Sequence, residues 1–142
     1  MMPVKNSPEL LNKGVGGLWT SHYNKVTGSE FVDYCKDIST LRLKEWKGFI
    51  LTPSLEAKVL VIDTLEDLLS ALNRYERETI LPFSRNLDFE KMAEDYDAIH
   101  LTRNGQIETR HSFPTSLYGW DVESTHWFRW KFTDVEKIEL KF

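Results

Sequence analysis

A single cysteine, Cys35, stands in 142 residues, so no intramolecular disulfide can form and the chain relies on its core. Apolar runs are short: none approaches the roughly 20 residues that span a bilayer. Nor does a basic stretch followed by an apolar one open the chain. These absences predict a soluble protein of a reducing compartment, with the cytoplasm as the expected location and no membrane partner. Basic charge is also scarce. The 18 Lys and Arg against 22 Asp and Glu leave a net charge of -4, which argues against a protein whose main affinity comes from neutralising phosphates. Repeats, low-complexity tracts and long charge blocks are missing, so no linker is expected and residues 1–142 read as one domain. A chain of this size buries roughly 68–70% of the surface it exposes when unfolded, enough for a core without staples.

What the chain holds in quantity is aromatic area: 13% of its residues, five of them Trp. Trp120, Trp127 and Trp130 fall close together beside Phe128 and Phe132. They are either sheet and core packing or a stacking wall for a planar ligand such as a nucleobase or nicotinamide.

Residues 1–12 are polar with Pro3 and Pro8, and read as a short strand or a loose arm. Gly14, Gly16 and Gly17 lead into a strand over Leu18–Tyr23; without a following Lys-Ser/Thr pair they make a weak phosphate loop. Thr27 and Glu30 have capping-box spacing, and Phe31, Tyr34, Cys35 and Ile38 form one helical stripe, which makes Cys35 a buried structural thiol. After a charged linker around Trp46, residues 48–52 form a strand ended by Pro53, and Lys58–Ile62 a second whose unbroken apolar run predicts two covered faces. Asp63 or Thr64 caps a second helix with Leu65, Leu68, Leu69 and Leu72 on its stripe. Pro82 interrupts the chain beyond that helix. Asp88 caps a third helix, where Phe89, Met92, Ala93 and Tyr96 repeat and Met92 belongs to the core. From Tyr96 the period becomes two, and Asn104-Gly105 predicts a hairpin between strands 98–102 and 106–110. Leu117–Trp130 reads as one bent strand or two, and Val135–Phe142 as the last. Helices early and strands late predict an α+β fold with about three helices.

Chemistry concentrates in Tyr118–Phe128. Strand alternation places Asp121, Glu123 and Thr125 on one face, where paired carboxylates would raise each other's pKa and yield a base near neutrality; the other reading is a solvent-facing acidic edge. His22, His100, His111 and His126 lack metal-ligand spacing, so no metal is expected, and the first three read as surface or hydrogen-bonded residues. Arg103, Arg110, Arg129 and Lys131, interleaved with aromatics, fit a nucleic-acid contact or a solvated sheet face equally.

Four segments, in order, carry a resemblance. Gly17-Leu18-Trp19-Thr20-Ser21 is similar to a strand that ends in an aromatic followed by Ser/Thr; Lys58–Asp63 precedes a helix; Tyr96-Asp97-Ala98-Ile99 is similar to a Tyr-Asp strand entry. Asp121-Val122-Glu123, followed by Trp127-Phe128 and Val135–Ile138, is similar to a carboxylate strand and the strand that closes it. Across roughly residues 17 to 140 the chain resembles the ADP-ribosyltransferase-like fold, in particular small phage and prophage proteins of that type.

The resemblance implies split antiparallel sheets with NAD as substrate in the cleft between them. Glu123 would be the catalytic carboxylate, bonding the nicotinamide ribose hydroxyl as the glycosidic bond opens. Asp121 would stand where many members have Glu or Gln. Thr20 and Ser21 would brace the glutamate and the nicotinamide side, with Trp19 or Tyr23 as the stacking face. The family's first-strand Arg or His has no counterpart before His22; Lys5, Asn6 and Lys13 are the polar residues long enough to replace it. The implied function is transfer of ADP-ribose to a protein or nucleic-acid acceptor. The alternative is a catalytically silent binding module, such as a phage-encoded inhibitor docking on a host protein. A third reading, an accessory protein with no small-molecule site, expects Asp121 and Glu123 to tolerate alanine within about ±0.5 kcal/mol.

Overall fold

The computed structural model describes residues 1–9, 12–38, 45–79 and 84–141. In chain order its elements are β1 (Leu18–Thr20), α1 (Glu30–Asp37), β2 (Glu45–Pro53), β3 (Val59–Ile62), α2 (Leu65–Arg74), β4 (Glu76–Arg77), β5 (Asn86–Leu87), α3 (Phe89–Asp95), β6 (Ala98–Leu101), α4 (Arg103–Thr109), β7 (Ser124–Trp127) and β8 (Phe132–Lys141). They form a single small α+β domain. Its central sheet has the order β1-β7-β6-β3, while β2 and β8 make a separate antiparallel ribbon and β4 and β5 a short third pair. The sheets are thus split as expected, but not wholly antiparallel, because β3 and β6 run parallel. The intervening α2 and α3 supply the crossover that a parallel pair needs.

Two of the predicted helices form on their own local signals. Of the two candidate caps it is Thr64 that caps α2, in a full capping box with Asp67, and Leu68 and Leu72 are buried beneath it. Asp88 caps α3 by accepting from Lys91 N, and Phe89 and Met92 enter the core. The first helix begins at Ser29 without a side-chain cap, so the Thr27–Glu30 box does not form. Cys35 is its buried residue, and burial pushes the thiol's pKa up; Phe31 is exposed.

Asn104-Gly105 opens α4, not a hairpin, and residues 106–110 are no strand. Thr102 caps this fourth helix through Gly105 N, and the Asn104 side chain donates to Asp63 O at 2.7 Å. Gly105 is needed for close approach, since a Cβ there would lie 2.1 Å from Ile62 O. The strand that pairs with β6 is instead the distant β7. Of Leu117–Trp130 only Ser124–Trp127 is strand; Leu117 and Trp120 reach the core from irregular chain. The apolar run of β3 is not covered on both faces. This edge strand buries Ile62 completely but leaves Val61 46% exposed, because alternation turns Val61 to the opposite face of the sheet, where an open cleft lies.

Residues 1–12 are not a loose arm in their described part. Val4 and Asn12 are buried, Lys5 bridges Val15, and Asn6 Oδ1 accepts from Phe89 N at 2.8 Å. The glycine cluster next to it serves close packing: Gly17 has φ +63, and a Cβ there would sit 2.2 Å from Trp127 O. The charged segment at Trp46 opens β2, and the last strand starts earlier than expected, at Phe132. Pro82 and Phe142 lie outside the described residues.

Candidate functional site

Alternation along β6 sends Ile99 and Leu101 into the core and His100 to the opposite face. Register places His100 across from Thr125 on β7, and Thr125 across from Thr20 on β1. Ser21 and His22 come directly after β1, and Glu123 directly precedes β7. Three chain segments therefore meet at one carboxylate.

Glu123 is 8% exposed. Its Oε1 accepts from His22 N at 2.7 Å and from Ser21 Oγ at 3.1 Å, and its Oε2 lies 2.7 Å from His100 Nε2. Burial pushes the Glu123 pKa up, but the His100 bond, the His22 amide and Ser21 together outweigh it and hold the carboxyl below its usual value. The group is thus an ionised acceptor. Oε1 takes the His22 amide and shares the Ser21 hydroxyl with Glu123 O, also at 3.1 Å, while Oε2 receives one bond from the described residues, leaving an acceptor position there.

Two clefts open on this carboxylate. The polar one, of about 480 Å³, is lined by Asn24, Thr27, Glu30, Asp33, Thr102 and Arg103. The apolar one, of about 560 Å³, lies between the β2–β8 ribbon and the central sheet and includes Tyr23, Leu51, Val59, Val61, Trp127 and Phe132. His22, His100 and Glu123 line both.

The predicted site residues separate. Ser21, Tyr23 and Thr20 line the apolar cleft, with Thr20 Oγ1 accepting from Trp127 Nε1 at 3.0 Å. Trp19 lines neither cleft. Its ring stacks on His126 at 4.2 Å and meets the edge of Trp120, so the stacking face narrows to Tyr23. The tryptophan wall is dispersed: Trp120 is core, Trp127 is a buried cleft residue and Trp130 packs on Phe132.

Asp121 does not stand beside Glu123 on a strand face, because residues 121–123 lie before β7 and the alternation rule does not reach them. Its carboxylate faces the Tyr34 hydroxyl, whose pKa is raised by burial and by this neighbour. The mutual pKa elevation expected of the pair is absent from Glu123, which moves the other way. The carboxylate that does meet the Glu123 backbone is that of Glu30, whose Oε2 accepts from Glu123 N at 3.4 Å.

The basic residues have separate partners: Arg103 with Glu30, Arg110 over Tyr118, and Arg129 with Asp97. Lys5, Asn6 and Lys13 line neither cleft; they bond Glu90, Asp88 and Gly119 O. None stands in for the first-strand Arg or His. The imidazole at the carboxylate comes instead from β6, and its one sequence signal is the alternation that turns His100 away from Ile99 and Leu101. Among the described residues no cluster of His, Cys, Asp and Glu is placed to hold a metal ion, and no helix is long and apolar enough to cross a membrane. Comparison with protein-family models, curated proteins and solved structures finds no match to this chain.

His126, fully buried, sets a pH dependence of the fold. Nε2–H donates to Gly16 O at 2.9 Å, while Nδ1 has no hydrogen-bond partner among the described residues; burial lowers the pKa from its usual 6.5. A group whose pKa is lower folded than unfolded adds stability above the unfolded value and loses it as pH falls through the folded one. His126 therefore removes stability below about pH 6.5, and Glu123 removes more below about 4.5. Thermal denaturation is expected to show a melting temperature that falls as the pH drops below about 6.5. His126→Phe keeps a ring on Trp19 and takes no proton, so it flattens that slope; an unchanged slope would assign the acid sensitivity elsewhere.

Proposed function

We propose that this protein transfers ADP-ribose from NAD+ to a protein or nucleic-acid acceptor, as a cytoplasmic ADP-ribosyltransferase-like domain with Glu123 as the carboxylate. The observation that carries the reading is Glu123 itself: ionised, braced by three donors, and placed with one free acceptor position where an apolar and a polar cleft meet. NAD+ has the same division. A flat nicotinamide suits the cleft of Tyr23, Trp127 and Phe132, the ribose falls at the carboxylate, and the polar cleft is left for the acceptor. Opening the C1′–N bond develops positive charge on the ribose, which a preorganised carboxylate stabilises more than it stabilises the ground state. The separation of the ribbon from the central sheet, with a cleft between them, supports the fold reading.

Calorimetry with NAD+ on the unaltered protein tests this. Saturable binding accompanied by a change in Trp fluorescence is expected, because Trp127 lines the apolar cleft. No heat at millimolar NAD+ removes the reading. It would favour the second one, a catalytically silent module that docks on a host protein. One observation supports that alternative: the polar cleft holds Glu30 and Asp33, and its Arg103 is drawn 3.6 Å from Glu30, a poor seat for a pyrophosphate.

A further inference from the structure

A transferase of this kind needs a group that stabilises the opening ribose and a group that takes the proton of the incoming nucleophile. Glu123 is poorly placed to supply both at once, because Oε1 already accepts from His22 N and shares the Ser21 hydroxyl with Glu123 O, and the open position on Oε2 is the one a ribose hydroxyl would occupy. Resting on the transferase reading, we propose that His100 is the general base of the reaction and that Glu123 fixes its tautomer.

The geometry supplies three reasons. An ionised carboxylate only accepts, so the 2.7 Å contact requires His100 Nε2 to carry the hydrogen, and in the neutral ring this leaves Nδ1 as the acceptor. The His100 side chain is 29% exposed against 10% for Glu123, so the imidazole, not the carboxylate, is the more open member of the pair toward the clefts it lines. Its backbone is held by Ile99 and Leu101, both fully buried, and by β3 and β7 on either side. A base mounted on a central strand keeps its aim better than one on a loop.

The step balances. The nucleophile X–H forms a bond to ribose C1′, and the C1′–N bond breaks with its electron pair going to the nicotinamide nitrogen, which loses its positive charge. The proton of X–H passes to His100 Nδ1 and leaves to solvent through the cleft. X–H is an acceptor hydroxyl or amine, or water when no acceptor is present.

His100→Gln tests the assignment, since its amide still donates to Glu123 but accepts no proton. NAD+ affinity is measured by calorimetry, and nicotinamide release is measured at saturating NAD+ with water as nucleophile. The expected result is affinity within about threefold of the unaltered protein and a kcat lower by about 10²-fold or more. An unchanged kcat overturns the role of His100 while leaving the transferase reading in place. A loss of affinity beyond about tenfold makes His100 a binding residue and also overturns it. If the unaltered protein neither binds nor cleaves NAD+, both readings fall. Nitrogen-15 spectra of the imidazoles in the unaltered protein give a check that needs no variant to fold: Nε2 protonated and Nδ1 bare is expected for His100, and the opposite tautomer overturns the proposal.

Discussion

Glu123→Gln is expected to lower nicotinamide release by about 10²–10³-fold, the range found when one preorganised electrostatic partner of a transition state is removed. The substitution keeps shape and removes charge. Its carbonyl can still accept from His22 N and Ser21 Oγ, while its amide meets His100 Nε2, which must then become an acceptor and turn the ring to the other tautomer. Both proposed roles at the site are disturbed by this one change, and the backbone is not. Initial rates beside a thermal melt separate the effects, and docking on a protein partner should persist. Normal transfer by the variant would show that the carboxylate has another purpose. Asp121→Ala is the control. Exposed and outside the hydrogen-bond set of Glu123, it is expected to change neither rate nor melting by more than a surface substitution does. The accessory-protein reading treats the two positions alike; their burial already separates them.

Asn12→Ala is expected to destabilise the fold by about 3 kcal/mol or more, several buried hydrogen bonds being worth about 1–3 kcal/mol each when one partner is left unpaired. The Asn12 side chain donates to Thr115 Oγ1 at 2.7 Å and to Ser116 O at 2.8 Å, and accepts from Leu87 N at 2.7 Å. Its own carbonyl takes the indole N–H of the buried Trp120. One residue thus ties the N-terminal segment to β5 and to the loop that delivers Trp120 to the core. Its φ of +51 adds a backbone cost for alanine that asparagine tolerates better. Asn12→Gly separates the contributions, since glycine relieves the backbone but restores no bond. Thermal denaturation of the pair should place both well below the unaltered protein, alanine lower. An alanine variant melting beside the unaltered protein would mean that these bonds are replaced by water at no loss.

The elements legible in the sequence are those whose signals are local. Asp88 with Phe89 and Met92, and Thr64 with Leu68 and Leu72, each place a cap and a buried stripe within one helix, and both helices form there. The strands at Val59–Ile62 and Ala98–Leu101 arise from β-branched and alternating residues in the same way. Asn104-Gly105 marks the limit. The dipeptide favours a hairpin only if the residues after it pair with the preceding strand, and here β7 takes that place on β6. Thr102 and Asp63 then offer Asn104 and Gly105 a helix start instead.

The sequence by itself determined the α+β character, the two capped helices and the buried thiol, and it offered a pair of candidate carboxylates, Asp121 and Glu123, of which Glu123 is the one the clefts share. Each depends on the chemistry of residues a few positions apart, which spacing records. Tertiary structure decided what surrounds that carboxylate. Ser21 and His22 arrive from about a hundred residues away and His100 from a neighbouring strand, so their meeting depends on the register of β1, β7 and β6. It also separated Asp121 from Glu123, stacked Trp19 on His126 and fastened the N-terminal segment through Asn12. These are contacts between distant segments, chosen by how the sheet packs, and no local pattern encodes them.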